Sequence, residues 1–226
     1  MGPALPRTAP LQAGLSFRLR LQLGHDLATG QPVAAEAWPS WHRAGRPFPA
    51  AAIRDHAMAT HALLRAAAEQ ARAPNAVPVS VNADAAALAD GSLAEAIAAA
   101  TAATGCEPAR LRIEIPEPAL AALDPEPLAA LGVGLVADHV GTGAISLRLL
   151  ASAPLAAIKL DAALVREIGQ SRLREAIIAA VVAIATARAI PVTACGIETE
   201  EERVALASLG VRAGQGPLFA ALPWAA

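Results

Sequence analysis

Gly134-Leu-Val-Ala-Asp-His-Val-Gly-Thr-Gly-Ala-Ile145 is the stretch on which the fold turns. Leu135 to Ala137 is a short apolar run without polar alternation, bounded by glycines, and it reads as a buried parallel strand. The run ends in Asp138 and His139, and Gly141-Thr142-Gly143 follows at once. An acid and an imidazole at a strand's C-terminal end, ahead of a permissive glycine loop, mark a candidate site. A solvated aspartate at an ordinary strand end is the alternative, and the rest of the chain has to decide.

Working outward, the pattern alternates between strand and helix. Phe17 to Leu23 alternates apolar and polar residues, Asp26 to Gly30 is a turn, and Val33 to Trp38 is a second strand. So short a connection makes a hairpin, with its strands antiparallel. Pro39, Pro47 and Pro49 punctuate the loop expected next, and alanine-rich Ala50 to Arg72 reads as helix. Further strands are expected at Val77–Asn82, Leu111–Ile115, up to Asp161, at Pro191–Ala194 and at Ala213–Gln215. Helices are expected at Ala83–Thr104 (broken near Gly91), before Leu131, at Ser171–Arg188 and at Thr199–Leu209. Repeated strand–helix units imply a parallel sheet covered by helices. About eight strands in this length favour a closed (β/α)₈-like barrel over an open sheet.

Composition limits the alternatives. The chain has 226 residues, 55% of them hydrophobic, 3% aromatic and none tyrosine, so Leu, Ile, Val and Ala must build the core. A net charge of −2 gives no broad surface for a nucleic-acid polymer. The most apolar run, Ala176 to Ala187, stops after 12 residues at Arg188, short of the ~18 or more that span a bilayer, so no membrane insertion is expected. Cys106 and Cys195 do not make a disulfide framework, and a reducing cytoplasmic setting fits. The proline-bearing residues 1–14 read as a tail or linker and residues 15–226 as a single barrel domain.

Polar residues recur at the strand ends: Glu36, Asn82, Glu114, Asp138, Lys159 and Gln215. In a barrel of this type those ends share one rim, where active sites sit. Three carboxylates and an amide oxygen are hard ligands suited to Mg²⁺ or Mn²⁺, ions that polarise phosphoryl groups and activate water. A nearby lysine offsets charge on a phosphate. The residues alone reach a barrel with a hard-metal site and do not name a substrate.

Glu36-Ala37-Trp38 resembles the signature of the EAL family of cyclic di-GMP phosphodiesterases. Six more segments resemble that family's motifs in order: Val79-Ser-Val-Asn82, Arg112-Ile-Glu-Ile-Pro-Glu117, Asp138-His-Val-Gly-Thr-Gly143, Ile158-Lys-Leu-Asp161, Ala194-Cys-Gly-Ile-Glu-Thr199 and Gln215-Gly-Pro-Leu-Phe219. The resemblance runs from about Ser16 to Pro223. It implies a modified TIM barrel with an antiparallel first strand. It also implies metal-ligand positions at Glu36, Asn82, Glu114 and Asp138, a lysine beside the attacking water at Lys159, and nucleotide contacts at Gln22 and Gln215.

The departures bear on activity. His139 stands where the family has a second aspartate for the second metal, and Cys195 where it has a glutamate. The arginine expected after the first motif is Ser40, the tyrosine after Gln215-Gly216 is Pro217, and a later basic residue is Ala221. The chain is also shorter than the family between Glu36 and Asn82. The retained carboxylates read either as a metal site or as groups that hydrogen-bond one another, and Lys159 either as their ion-pair partner or as a phosphate contact. His139 reads as drift after loss of activity, with a His/Cys zinc site as the sharper alternative. Cys195 reads as an inert thiol, Glu117 and Glu198 as loop braces and Asp161 as a turn cap. The resulting expectation is a degenerate, non-catalytic regulatory or interaction module in cyclic di-GMP signalling. Nucleotide binding is expected to be weak or absent, with Mg²⁺ or Mn²⁺ at a weakened site or no metal at all. The partner is an unspecified protein or a second copy in a homodimer. The enzyme alternative is a phosphodiesterase releasing linear pGpG through an altered metal site.

Overall fold

The computed structural model describes residues 14–53, 55–141 and 147–219. Residues 1–13, Thr142-Gly143 and Ala221, on which some of the expectations above fall, lie outside the described residues.

The chain opens with a long hairpin, β1 (Leu15–Asp26) and β2 (Pro32–Arg43), paired antiparallel from Leu15↔Arg43 to Gly24↔Ala34 without a slip. Asp26 closes its turn by accepting the N–H groups of Ala28 and Thr29 at 3.0 and 2.9 Å. A two-residue strand, β3 (Arg46–Pro47), pairs with the end of β2. The remaining strands are β4 (Val79–Asn82), β5 (Leu111–Pro116), β6 (Gly134–Val140), β7 (Leu155–Leu160), β8 (Val192–Cys195) and β9 (Ala213–Gln215). The helices are α1 (His56–Ala71), α2 (Ala85–Asp90), α3 (Ser92–Thr104), α4 (Glu117–Ala122), α5 (Glu126–Ala129), α6 (Leu147–Ser152), α7 (Ala162–Val165), α8 (Arg172–Ala187) and α9 (Glu200–Ser208).

From β2 the strands run parallel in the order β2-β4-β5-β6-β7-β8-β9, and β9 meets β1 antiparallel at His25 and Asp26. The β1–β2 pairing closes the ring, so eight strands form a barrel whose first strand is antiparallel to both neighbours. This is the expected α/β barrel.

Two boundaries differ most from the sequence reading. The strand expected to stop at Trp38 continues through Pro39 to Arg43. Pairing with β4 ends at Ala37, so Pro39 lies where β2 has an open edge, a place that tolerates a missing N–H. Glu36 is therefore mid-strand rather than at a strand end, although it reaches the barrel mouth as expected. The helix expected from Ala50 begins at His56, after a short 3₁₀ turn at Ala50–Ala52. Asp55 caps it by accepting the Met58 N–H, so the preceding prolines and alanines add no turn to α1 itself.

Strand alternation sorts the side chains into two layers. Val79, Val81, Leu111, Ile113, Ile115, Leu135, Ala137, Ile158, Leu160, Val192 and Ala194 are buried, and they belong to one core with helix residues such as Leu64, Ile97, Leu120, Ile178 and Leu206. The intervening positions, among them Glu36, Ser80, Arg112, Glu114, Lys159, Thr193 and Gln215, line a cavity of about 20 Å³ inside the barrel, room for about one water. The barrel is thus apolar outside, under its helices, and polar within. Among the described residues, no helix is long and apolar enough to cross a membrane.

Candidate functional site

The inward layer ends in a carboxylate cluster built around one ammonium. Lys159, next to last in β7, donates to Glu36 Oε2 at 2.6 Å and to Glu114 Oε2 at 2.7 Å, and its Nζ lies 4.0 Å from Asp138 Oδ1. Glu36 also accepts from Asn82 Nδ2 at 2.8 Å and from Gln215 Nε2 at 2.9 Å. The parallel register places these groups together: Glu36 is level with Ser80 on β4, and Asn82 with Glu114 on β5. Six residues expected at one barrel mouth are brought together there. All but Asn82 are buried.

A single buried ammonium lies among the carboxylates, and Glu36 and Glu114 shift in opposite directions. Burial opposes ionisation of Glu36, but the Lys159 charge and the hydrogen bonds from Lys159, Gln215 and Asn82 hold its carboxyl below the usual range. Burial dominates at Glu114 and pushes it up to about 7 despite Lys159, aided by the nearby Glu36 charge. Burial likewise disfavours the Lys159 ammonium, yet the acidic groups around it (Cys195, Glu114, Glu36 and Asp138) more than reverse this and raise it. Burial also pushes the Cys195 thiol up, so it stays protonated and the carboxylates hold the lysine's charge.

The two residues that depart from the family motifs sit at the rim of this cluster. Cys195 is the last residue of β8, half-buried and level with Gln215. His139 is near the end of β6 with its side chain 57% exposed. Its Nδ1 is 2.9 Å from Asp161 Oδ2 and its Nε2 is 3.4 Å from Asp138 Oδ2, so the imidazole bridges two carboxylates. The bond to Asp161 is the main cause of a raised imidazole pKa, which burial opposes and the charges of Asp138 and Asp161 reinforce. The backbone of His139 lies in the left-handed region, with φ +55°. A non-glycine residue there costs about 1–2 kcal/mol, and the bridge helps to hold it in place.

Asp161 caps α7 through the Ala163 N–H at 2.8 Å, as the sequence suggested, but its hold on His139 was not foreseen. A signal existed, since Asp161 follows Lys159 by two residues and strand alternation places the two on one side. Gln22 lies directly across from Glu36 on β1, half-buried beside the cluster. Glu198 is in an exposed ion pair with Arg166, at 3.8 Å. The loop brace in that region is instead Glu202, which accepts the N–H groups of Glu167, Glu198 and Thr199 at 3.0, 2.8 and 3.2 Å.

Comparison with known proteins agrees with this architecture. A cyclic di-GMP phosphodiesterase of Pseudomonas aeruginosa, RocR, is 40% identical over 93 residues, which are 41% of this chain and 24% of that protein. The curated relatives are much longer, and the matches span between 13% and 26% of their lengths. Among solved structures, the PaMucR phosphodiesterase in complex with c-di-GMP superposes with a TM-score of 0.76 at 26% identity, covering 92% of each chain. Klebsiella pneumoniae BlrP1, solved with manganese and cyclic di-GMP, superposes with a TM-score of 0.74 at 29% identity, over 94% of this chain and 56% of that one. The family model for the EAL domain matches residues 7–221, and the chain belongs to that family.

Proposed function

We propose that this chain is a degenerate EAL domain, a cytoplasmic, non-catalytic regulatory or protein-interaction module in cyclic di-GMP signalling. The proposal takes residues 15–226 as one barrel domain that binds the nucleotide weakly or not at all. One observation carries it: the carboxylates that would hold metal ions already have basic partners within the protein. Lys159 bonds Glu36 and Glu114, and His139 bridges Asp138 and Asp161. A protonated His139 places positive charge where the family motif has an anionic ligand.

As arranged, the donors do not fit a divalent ion. The amide nitrogen of Asn82, not its oxygen, faces Glu36, and the Lys159 ammonium occupies the centre of the carboxylates. Among the described residues, no group of three or more His, Cys, Asp or Glu side chains is spaced to hold a metal, which also leaves the His/Cys zinc alternative without support. Hydrolysis needs a base or an ion to take a proton from the attacking water. Cys195 offers a thiol that burial keeps protonated, not a carboxylate.

A second reading is favoured by the convergence of Glu36, Asn82, Glu114, Asp138 and Lys159 at one mouth. In it the domain is a metal-dependent phosphodiesterase producing linear pGpG through an altered site, with Mg²⁺ or Mn²⁺ displacing Lys159. The deciding assay is separation of pGpG from cyclic di-GMP after long incubation with Mg²⁺ or Mn²⁺ at high protein concentration. No appreciable turnover is expected. Robust turnover, abolished by Glu36→Ala, would overturn the non-catalytic reading.

A further inference from the structure

Pairing between β2 and β4 ends at Ala37. Beyond that point a cavity of about 550 Å³ opens between β2, the chain that follows β4 and the first half of α1. It lies behind the barrel wall. Ala37, Pro39 and Trp41 line it, and they alternate along β2 with Glu36, which turns inward to Lys159. Its volume falls in the usual range for a small-molecule site, about 300–1,000 Å³. Most of the lining is apolar, with Trp41, Ile53, Leu63, Leu64 and Leu93 buried. Asn82 also lines it, but the amide nitrogen of that side chain is already bonded to Glu36.

Two polar side chains on α1 give this apolar space a polar end. His56 and Thr60 both line it, and positions four apart on a helix are neighbours. Thr60 is only 8% exposed, yet its hydroxyl makes no hydrogen bond among the described residues. A helical threonine commonly bonds the carbonyl one turn back. In α3, Thr101 Oγ1 donates to the Ile97 carbonyl at 3.0 Å and Thr104 Oγ1 to the Ala100 carbonyl at 2.8 Å. Thr60 lacks that bond, which leaves a buried hydroxyl for whatever fills the cavity.

His56 is held in place by a fixed acid. Its Nδ1 lies 3.2 Å from Asp84 Oδ2, while Asp84 Oδ1 accepts the N–H groups of Ala86 and Ala87 at 3.0 and 3.1 Å. A carboxylate at Nδ1 keeps the proton on that nitrogen, so Nε2 of the neutral ring is a hydrogen-bond acceptor. Asp84, with Asp55 one residue before α1, makes this end acidic and opposes a carboxylate ligand. A protonated His56 would oppose an ammonium. An uncharged hydroxyl suits both partners, donating to His56 and accepting from Thr60.

We propose that this cavity binds a small apolar alcohol, its hydroxyl bridging His56 Nε2 and Thr60 Oγ1 and its hydrocarbon body lying against Trp41, Ile53 and the α1 leucines. The proposal does not depend on whether the domain is catalytic.

Titration calorimetry at pH 8 with 1-octanol, cyclohexanol and octanoate tests this on the wild type, Thr60→Val and, as a control outside the cavity, Thr101→Val. Thr60→Val keeps the side chain's shape and removes its hydroxyl. Circular dichroism checks that each variant is folded. The wild type should bind at least one of the two alcohols saturably at one site, and octanoate about tenfold more weakly. Thr60→Val should weaken the alcohol about fivefold, and Thr101→Val should leave it unchanged. The site is overturned if neither alcohol binds saturably or if octanoate binds as tightly as the alcohol. A Thr60→Val effect no larger than that of Thr101→Val overturns it as well.

Discussion

Replacing Lys159 by methionine removes the cluster's charge while keeping most of the side chain's length. The two carboxylate oxygens it bonds, at 2.6 and 2.7 Å, can be no farther apart than the sum of those distances. At an effective dielectric of about 20, two carboxylates about 5 Å apart repel by about 3 kcal/mol. Protonating one instead costs about 1.4 kcal/mol per pH unit above its ordinary value, roughly 5 kcal/mol at pH 8 and under about 1 kcal/mol at pH 5. With the lost hydrogen bonds included, Lys159→Met should destabilise the fold by about 3–5 kcal/mol at pH 8, the range for stripping one partner from a buried pair. At pH 5 the loss should shrink to about 1–2 kcal/mol, because a proton can take over part of the lysine's role. Urea unfolding followed by circular dichroism at the two pH values measures both quantities. An equal loss at pH 5 and pH 8, or a loss below about 1 kcal/mol at pH 8, would refute the assignment of Lys159 as the cluster's counter-ion.

Three other outcomes are expected. His139→Asp with Cys195→Glu restores two anionic ligands, so the double variant should show a thermal stabilisation by Mn²⁺ that the wild type lacks and some recovery of pGpG formation, limited by Ser40 and Pro217; an unchanged response to Mn²⁺ argues against those positions as the cause of degeneracy. Metal-free wild-type stability should peak at about pH 5–6: Glu36 and Glu202, held low when folded, lose their contribution as pH falls below their unfolded values, whereas Glu114, raised to about 7, loses its own as pH rises from the unfolded value toward 7, and the raised His139 loses its own above its ordinary value; a melting-temperature maximum above about pH 7.5 contradicts this sign. Glu202→Ala strands three backbone N–H groups and should cost about 2–3 kcal/mol in urea unfolding, and a loss within error of zero would show that water serves those groups equally well.

The barrel was legible because its strands carry short apolar runs bounded by glycine and proline, and because Leu135 to Ala137 leads straight into Asp138. The cluster was legible because β-strand register converts sequence order into a shared rim. What escaped was set by tertiary context. Pro39 looked like a strand terminator, and only the absence of a β4 partner beyond Ala37 shows why the strand passes through it. With the strand ended at Trp38, Trp41 fell in a loop, and the cavity that it lines with α1 carried no signal. The bridge from His139 to Asp161 depends on a left-handed backbone at a non-glycine residue, which local propensity argues against.

The separation of an apolar outer layer from a polar inner one bears on how such a chain can change over time. The apolar layer between strands and helices carries the hydrophobic stabilisation, and the inward acids repel one another unless a cation sits among them. On the proposed reading, exchanging an inward acid for a neutral group, as proposed for Cys195, would remove repulsion without touching the packing that folds the chain. Once a metal is no longer used, selection for stability favours each such exchange and opposes its reversal. Chemistry at the centre can then be lost one residue at a time, like a ratchet turning in one direction, while the barrel around it stays sound.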